Sequence, residues 1–344
     1  MKKSPISESG RASFLRLRQH ELLAGDIVLS TTSKPISLAI RTVTSCDISH
    51  ALLCLGGNSV IDATEDGVHA RNTQYHLFEA DQPLYLLRAC TTLSQTQAML
   101  ITDFARSKIG AGYTTAEALG VIGRRKQEVS EKQFCSRLVA QAYAHAGIAL
   151  VGTPDYCSPA HLKNSPLLRP VMDFFDAVSA SAAAEILASP NVAKRMLDVS
   201  KETMRRIRKI APQVEAMERV FNYLHENPSD DDRIYQAFKE SGYLDMWQVE
   251  LSEKPAHYYY DALNASQDGF ADMSAHCRGL IRSGGDELRN YQTNIRALES
   301  FAGCAELATF IAHKQVFLIM MALAEKKIAI AEEWLANNAS QNDL

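Results

Sequence analysis

The hydrophobic pattern of this chain changes period once, near residue 175, and that change limits what it can fold into. Upstream, short β-rich runs alternate with turn signals, and Asp26–Ser30, His50–Leu55, Ser59–Thr64 and Leu84–Arg88 read as strands. Gly56-Gly57-Asn58 reads as a hairpin turn between the second and third. Helical patterns follow at Ser94–Lys108, Thr115–Gly120 and Cys135–His145, the last closed by Gly147 at a C-cap position. Downstream no strand signal survives. Phe174–Leu187, Val192–Ile210, Val214–Leu224, Arg233–Lys239 and most of Asp286–Ala336 space apolar residues by three and four. The expectation is an N-terminal extension over 1–19, an α+β domain over 20–172, and an all-helical domain of unassigned role over 173–344.

Bulk properties narrow the function. A length of 344 residues, 46% of them hydrophobic, is enough for two cores. A formal charge of -4 gives no global pull toward nucleic acid, and no nucleic-acid partner is expected. The seven cysteines lack CxxC or CxxH spacing, so neither a structural zinc nor a disulfide framework is expected, and a reducing compartment fits. No P-loop, GxSxG or HExxH motif is present, and no cofactor is expected. The first 23 residues carry positive charge without an apolar h-region, unlike a secretory signal. The apolar run Val316–Ala324 falls short of the ~20 residues a spanning helix needs. A cytoplasmic location is expected, with export requiring a dedicated secretion system.

The chemistry concentrates in two segments. Ser49-His50-Ala51-Leu52-Leu53 reads as a strand carrying an imidazole, and Phe134-Cys135-Ser136-Arg137-Leu138-Val139 as a helix start carrying a thiol. Partial positive charge at a helix N-terminus stabilises a thiolate, and the Cys135 N–H is a natural oxyanion donor. By period two, His50, Leu52 and Cys54 share a strand face, as do Val60, Asp62 and Thr64 on the returning strand. A tight antiparallel turn then sets His50 and Asp62 opposite or diagonal, where a carboxylate can hold the imidazole tautomer. Glu65 is the rival carboxylate, of opposite parity. Histidine in strands and cysteine in helices are more often plain core residues. Their combination carries the weight.

Gly25-Asp26-Ile27-Val28-Leu29, Ser49-His50, Gly56 through Ala63, Gly67-Val68, Tyr113, Phe134-Cys135-Ser136 and Ser158-Pro159-Ala160-His161-Leu162 together resemble the permuted papain-like cysteine hydrolases. The resemblance is to the YiiX/YebB-type branch of the NlpC superfamily, which includes lecithin:retinol acyltransferase. It covers residues from about 20 to 170 and implies a circularly permuted papain-like core. It also implies Cys135 as nucleophile, His50 as base and position 62 as the third polar residue. Where the family commonly has Glu or His, this chain has the shorter Asp62; where it often has an acidic residue after Cys-Ser, this chain has Arg137, a difference expected to alter substrate preference. Tyr113 is expected either to line the cleft or to cap the core. With Ser49 and Ser136 it is assigned to substrate contact.

The resemblance implies acyl transfer through a thioacyl enzyme, released to water or to an acceptor alcohol or amine. A lipid ester or thioester is the expected substrate, with a peptidoglycan or isopeptide amide as the alternative. A catalytically silent binding protein acting through its helical half is the contrasting class. The stretch Lys194–Lys209 is basic and amphipathic, a candidate contact for anionic membrane or a solvated face.

Overall fold

The computed structural model describes residues 13–18, 21–33, 35–56, 58–112, 133–189, 191–266 and 273–338. Tyr113, the expected helix Thr115–Gly120, Gly57 and residues 1–12 of the expected extension lie outside them. The chain forms two compact units. One comprises residues up to Arg106 and from Tyr113 to Asn191; the other comprises Ser107–Gly112 and everything from Val192.

In the first unit six strands form one antiparallel sheet. They are β2 (Ile27–Ser30), β3 (His50–Gly56), β4 (Ser59–Thr64), β5 (Gly67–Asn72), β7 (Tyr85–Ala89) and β8 (Leu168–Val171), in the order β5-β4-β3-β2-β7-β8. Alternation sends Val28, Leu52, Cys54, Val60 and Leu86 to one face. They pack on Leu17, Phe78 and Phe174 beside a small sheet of β1 (Phe14–Leu17), β6 (Phe78–Glu79) and β9 (Phe175–Val178). Ile27, Leu29, Ala51, Leu53 and Ile61 have the opposite parity and are equally buried. The helix α3 (Cys135–His145), which follows α1 (Pro35–Thr44) and α2 (Gln95–Ser107), lies against β3 and β4 and buries Leu138, Val139, Ala142 and Tyr143. Each such large apolar side chain stabilises the unit by about 1.5–3 kcal/mol when fully buried.

Gly25 shows why that helix stays put. Its φ is +95°, and an added Cβ would lie 2.5 Å from Leu93 Cδ1. The bare glycine admits the Tyr143 hydroxyl, which donates to the Gly25 carbonyl at 2.5 Å. The expected helix Phe174–Leu187 is corrected to β9 followed by α5 (Ala180–Ala188). Ser179, accepting from the Ala182 N–H, marks the true helix start, while β9 pairs with β1 far upstream in sequence.

The second unit is helical: α6 (Val192–Ile210), α7 (Arg219–Glu226), α8 (Asp231–Glu240), α9 (Met246–Glu253), α10 (Tyr260–Ala265), α11 (Met273–Glu299) and α12 (Ala308–Asn338). Its main core gathers Met204, Ile207, Val220, Leu224, Ile234 and Phe238 with Phe310. Charges of the basic stretch are engaged within this unit. Arg205 and Arg206 pair with Glu202, and Arg208 donates to the carbonyls of Gly110 and Glu215 at 2.7 Å each. That leaves less of α6 for an anionic surface than its charge count suggests. By length and composition alone α12 would cross a membrane, unlike the short apolar run expected there. It buries Thr309, His313 and Lys327 and packs along α11, while only 22% of its most apolar stretch is buried.

Candidate active site

His50 is the first residue of β3, paired with Ser30 across β2. The β3–β4 ladder begins at Leu53–Ile61, and continuing that register sets Asp62 across from Leu52 and diagonal to His50. The side chains close that diagonal, with His50 Nε2 2.9 Å from Asp62 Oδ2. An ionised carboxylate only accepts, so Nε2 carries a proton. The short Asp side chain therefore needs no bridging water. Glu65 sits exposed in the β4–β5 turn and leaves this role to Asp62.

Cys135 is the first residue of α3. The preceding N-cap position is Phe134, which has no side-chain oxygen to occupy the first-turn N–H groups, and no acidic residue stands in that turn. The Cys135 thiol and the His50 imidazole are close enough that each shifts the other's protonation. Asp62 holds Nε2, so Nδ1 is the nitrogen that faces sulfur.

The electrostatics follow from these neighbours. Burial pushes the Cys135 thiol up, but the His50 imidazole, first through its charge, and the Ala51 N–H together hold it below its ordinary value. Burial likewise opposes the imidazolium, yet the Cys135 and Asp62 charges raise His50 above its ordinary value. Asp62 is 2% exposed, and burial alone would raise it. The hydrogen bond and charge of His50, then Arg71 and His69, hold it well below the usual carboxylate range. The arrangement can support a thiolate–imidazolium pair steadied by a carboxylate. Cys157 is the contrast, since burial and then the charge of Cys135 push its thiol up.

Several assignments move. Ser136 is fully buried and its hydroxyl donates to the Cys157 carbonyl at 2.8 Å. Ser49 is buried too, its hydroxyl bonded to Thr31 at 2.8 Å. Both hydroxyls are spent on internal bonds, each one step away from its neighbour His50 or Cys135 by strand parity or helix rotation. Arg137, expected to tune substrate preference, is fully buried. Its Nε donates to the Asp155 carbonyl at 2.9 Å and its guanidinium lies 4.4 Å from the Phe134 ring centre. It braces the entry to the cysteine helix. Tyr113 lies outside the described residues.

Other residues enter that the sequence reading left out. His69 and Arg71 on β5 both face Asp62 Oδ1, Arg71 Nε at 3.0 Å and His69 Nε2 at 3.7 Å. The turn Glu65-Asp66-Gly67, with Gly67 at φ +94°, would have revealed them. Asp47, three residues before His50, takes Lys163 Nζ at 2.6 and 2.9 Å and the Tyr85 hydroxyl at 2.5 Å. That ties the chain entering β3 to α4 (Pro159–Lys163). Among the described residues no group of three or more His, Cys, Asp or Glu is placed to hold a metal ion.

Comparison with known proteins bears on the same region. Residues 21–166 match the family described as permuted papain-like amidase enzymes, YaeF/YiiX, C92 family. Over 174 residues the chain is 27% identical to the probable lipoprotein peptidase YaeF of Escherichia coli (strain K12). That alignment takes 41% of this chain and 63% of YaeF, so this chain spans less than two thirds of that relative. A crystal structure titled metalloprotein yiiX, from Escherichia coli O157:H7, aligns at 16% identity with 43% of this chain and 95% of its own, with a TM-score of 0.30.

Proposed function

We propose that the first unit, whose residues 21–166 form a permuted papain-like domain of the YaeF/YiiX type, is a cysteine hydrolase that cleaves an acyl bond through a thioacyl enzyme. The observation that carries this reading is Asp62 bonded at 2.9 Å to His50, whose charge in turn lowers the Cys135 thiol at a helix N-terminus. Cys135 attacks the acyl carbonyl as thiolate, and the developing oxyanion meets the Cys135 N–H at the start of α3. His50 gives its Nδ1 proton to the leaving group as the carbonyl–heteroatom bond breaks and the acyl–sulfur bond remains. Neutral His50 then takes a proton from water, whose oxygen displaces the thiol and frees the acid. Asp62 keeps the imidazole oriented throughout and stabilises each imidazolium.

Between substrate classes, the amide leads the lipid ester that the resemblance and the basic stretch suggested. A family of amidases and a relative named as a probable peptidase support it. The basic stretch, which favoured a lipid surface, has Arg205, Arg206 and Arg208 engaged within its own unit. The test is mass spectrometry of products after incubating wild type and Cys135→Ala with lipopeptides, muropeptides and phospholipid vesicles in parallel. Amide cleavage that needs Cys135 supports the reading. Thiol-dependent release of fatty acid from phospholipid alone would return the assignment to the ester, and turnover surviving in Cys135→Ala would overturn the mechanism.

A further inference from the structure

The groups that face Asp62 come from more than one element. His50 approaches from β3 and His69 and Arg71 from β5. His76, in the connection to β6, feels the charge of Asp62, but burial brings it down to about 4. In the β4–β5 ladder His69 stands directly across from Asp62 while Arg71 stands across from Val60. Arg71 is therefore the diagonal neighbour of Asp62 on the same face, roughly 7–8 Å away by backbone and within reach of a long side chain. Its Nε meets Oδ1 at 3.0 Å. His50 meets the other oxygen, Oδ2, at 2.9 Å. The two carboxylate oxygens are thus divided between a guanidinium and the imidazole.

We propose that Arg71 is a positioning residue, its Nε holding Asp62 Oδ1 so that Oδ2 stays committed to His50. The inference rests on the reading of Cys135, His50 and Asp62 as the reacting group. The last torsion of an aspartate is soft, so one hydrogen bond does not fix the plane of its carboxylate. His69 is the competitor. Its Nδ1 donates to the Gly67 carbonyl at 3.0 Å, which turns Nε2 toward Asp62 at 3.7 Å without a hydrogen-bonding partner. A neutral His69 presents a lone pair there; a protonated one would draw the carboxylate away from His50. Burial, against the opposing charge of Asp62, keeps His69 below its ordinary value. Arg71, always charged and forked, supplies a fixed cation at Oδ1, closer than His69 at 3.0 Å against 3.7 Å.

Peptide-resolved mass spectrometry of Cys135 alkylation by iodoacetamide, followed against pH, tests this without a substrate. Wild type, Arg71→Ala, Arg71→Lys and Asp62→Asn are compared, with melting curves for each. The acid limb of Arg71→Ala should move up by on the order of one pH unit, since Asp62 loses an opposite charge in contact and the thiolate loses an oriented imidazolium. Arg71→Lys should fall between the two, and Asp62→Asn should move at least as far. Should alanine prevent folding, Arg71→Gln makes the same comparison. Limbs of the Arg71 variants that superimpose on wild type, while Asp62→Asn shifts, would overturn the inference. A wild type with an ordinary thiol limb would count against the active-site reading itself.

Discussion

Each unit of this protein buries a cluster of charge, and the two clusters end differently. In the first, Asp62 is shared among His50, His69 and Arg71, and the line runs on to a thiol at a helix N-terminus and to an imidazole 24% exposed. In the second, Lys327 is 2% exposed and donates to both oxygens of Glu287 at 2.8 and 2.7 Å, while Tyr258 donates to Glu250 at 3.0 Å. Burial raises Glu287 although Lys327 opposes it, and burial with the nearby lysines brings His257 down to about 3. Among the described residues no nucleophile is bonded to that second set. Buried charge and shifted protonation are therefore common to both. What separates a reactive site from a structural pair is where the line of interacting groups stops.

The sharpest break in that comparison is Cys135→Ala. Acyl cleavage should fall by about three orders of magnitude or more with the melting temperature little changed, as steady-state rates and calorimetry would show. Asp62→Asn comes next, with a loss of about 10²–10⁴ in kcat from a misdirected imidazole. The same variant reads out in acid stability. Asp62 lies below its unfolded value of 3.8, so its contribution is full above that pH and is lost as pH falls toward the folded value. Denaturant midpoints measured downward from pH 5 should fall less steeply in Asp62→Asn than in wild type. Lys327→Met inverts the pattern, costing roughly 1–3 kcal/mol because Glu287 stays part-exposed, and leaving the pH dependence of Cys135 alkylation unmoved. Ser136→Ala is the mildest, about 1 kcal/mol for the lost bond to the Cys157 carbonyl, with KM unchanged. A KM that rises there would restore Ser136 to the substrate site.

Much of the site was legible because strand parity is strict. Placing His50 and Asp62 on one face needed only the turn at Gly56–Asn58 and a period of two, and their diagonal contact follows. Parity was equally available for His69 and Arg71, since Val68 and Ala70 alternate with them along β5. It went unused because the segment is polar and short. β1, β6 and β9 escaped for a different reason: at four residues or fewer they carry no readable period, and their pairing spans most of the unit. The Ala-rich run after Ser179 extends a helical pattern backward over β9, and the Ser179 cap is what separates the two. Ser49 and Ser136 show the limit of adjacency, since a neighbour in sequence to a catalytic residue points elsewhere.

The most direct test of the central claim is the protonation state of His50 by nitrogen-15 magnetic resonance near pH 7, in wild type and in Cys135→Ala. The expected result is a wild-type imidazolium with protons on both ring nitrogens, one toward Asp62 and one toward sulfur, that loses part of its charge when the thiol is removed. A neutral imidazole in the wild type, unchanged by the loss of Cys135, would contradict the account.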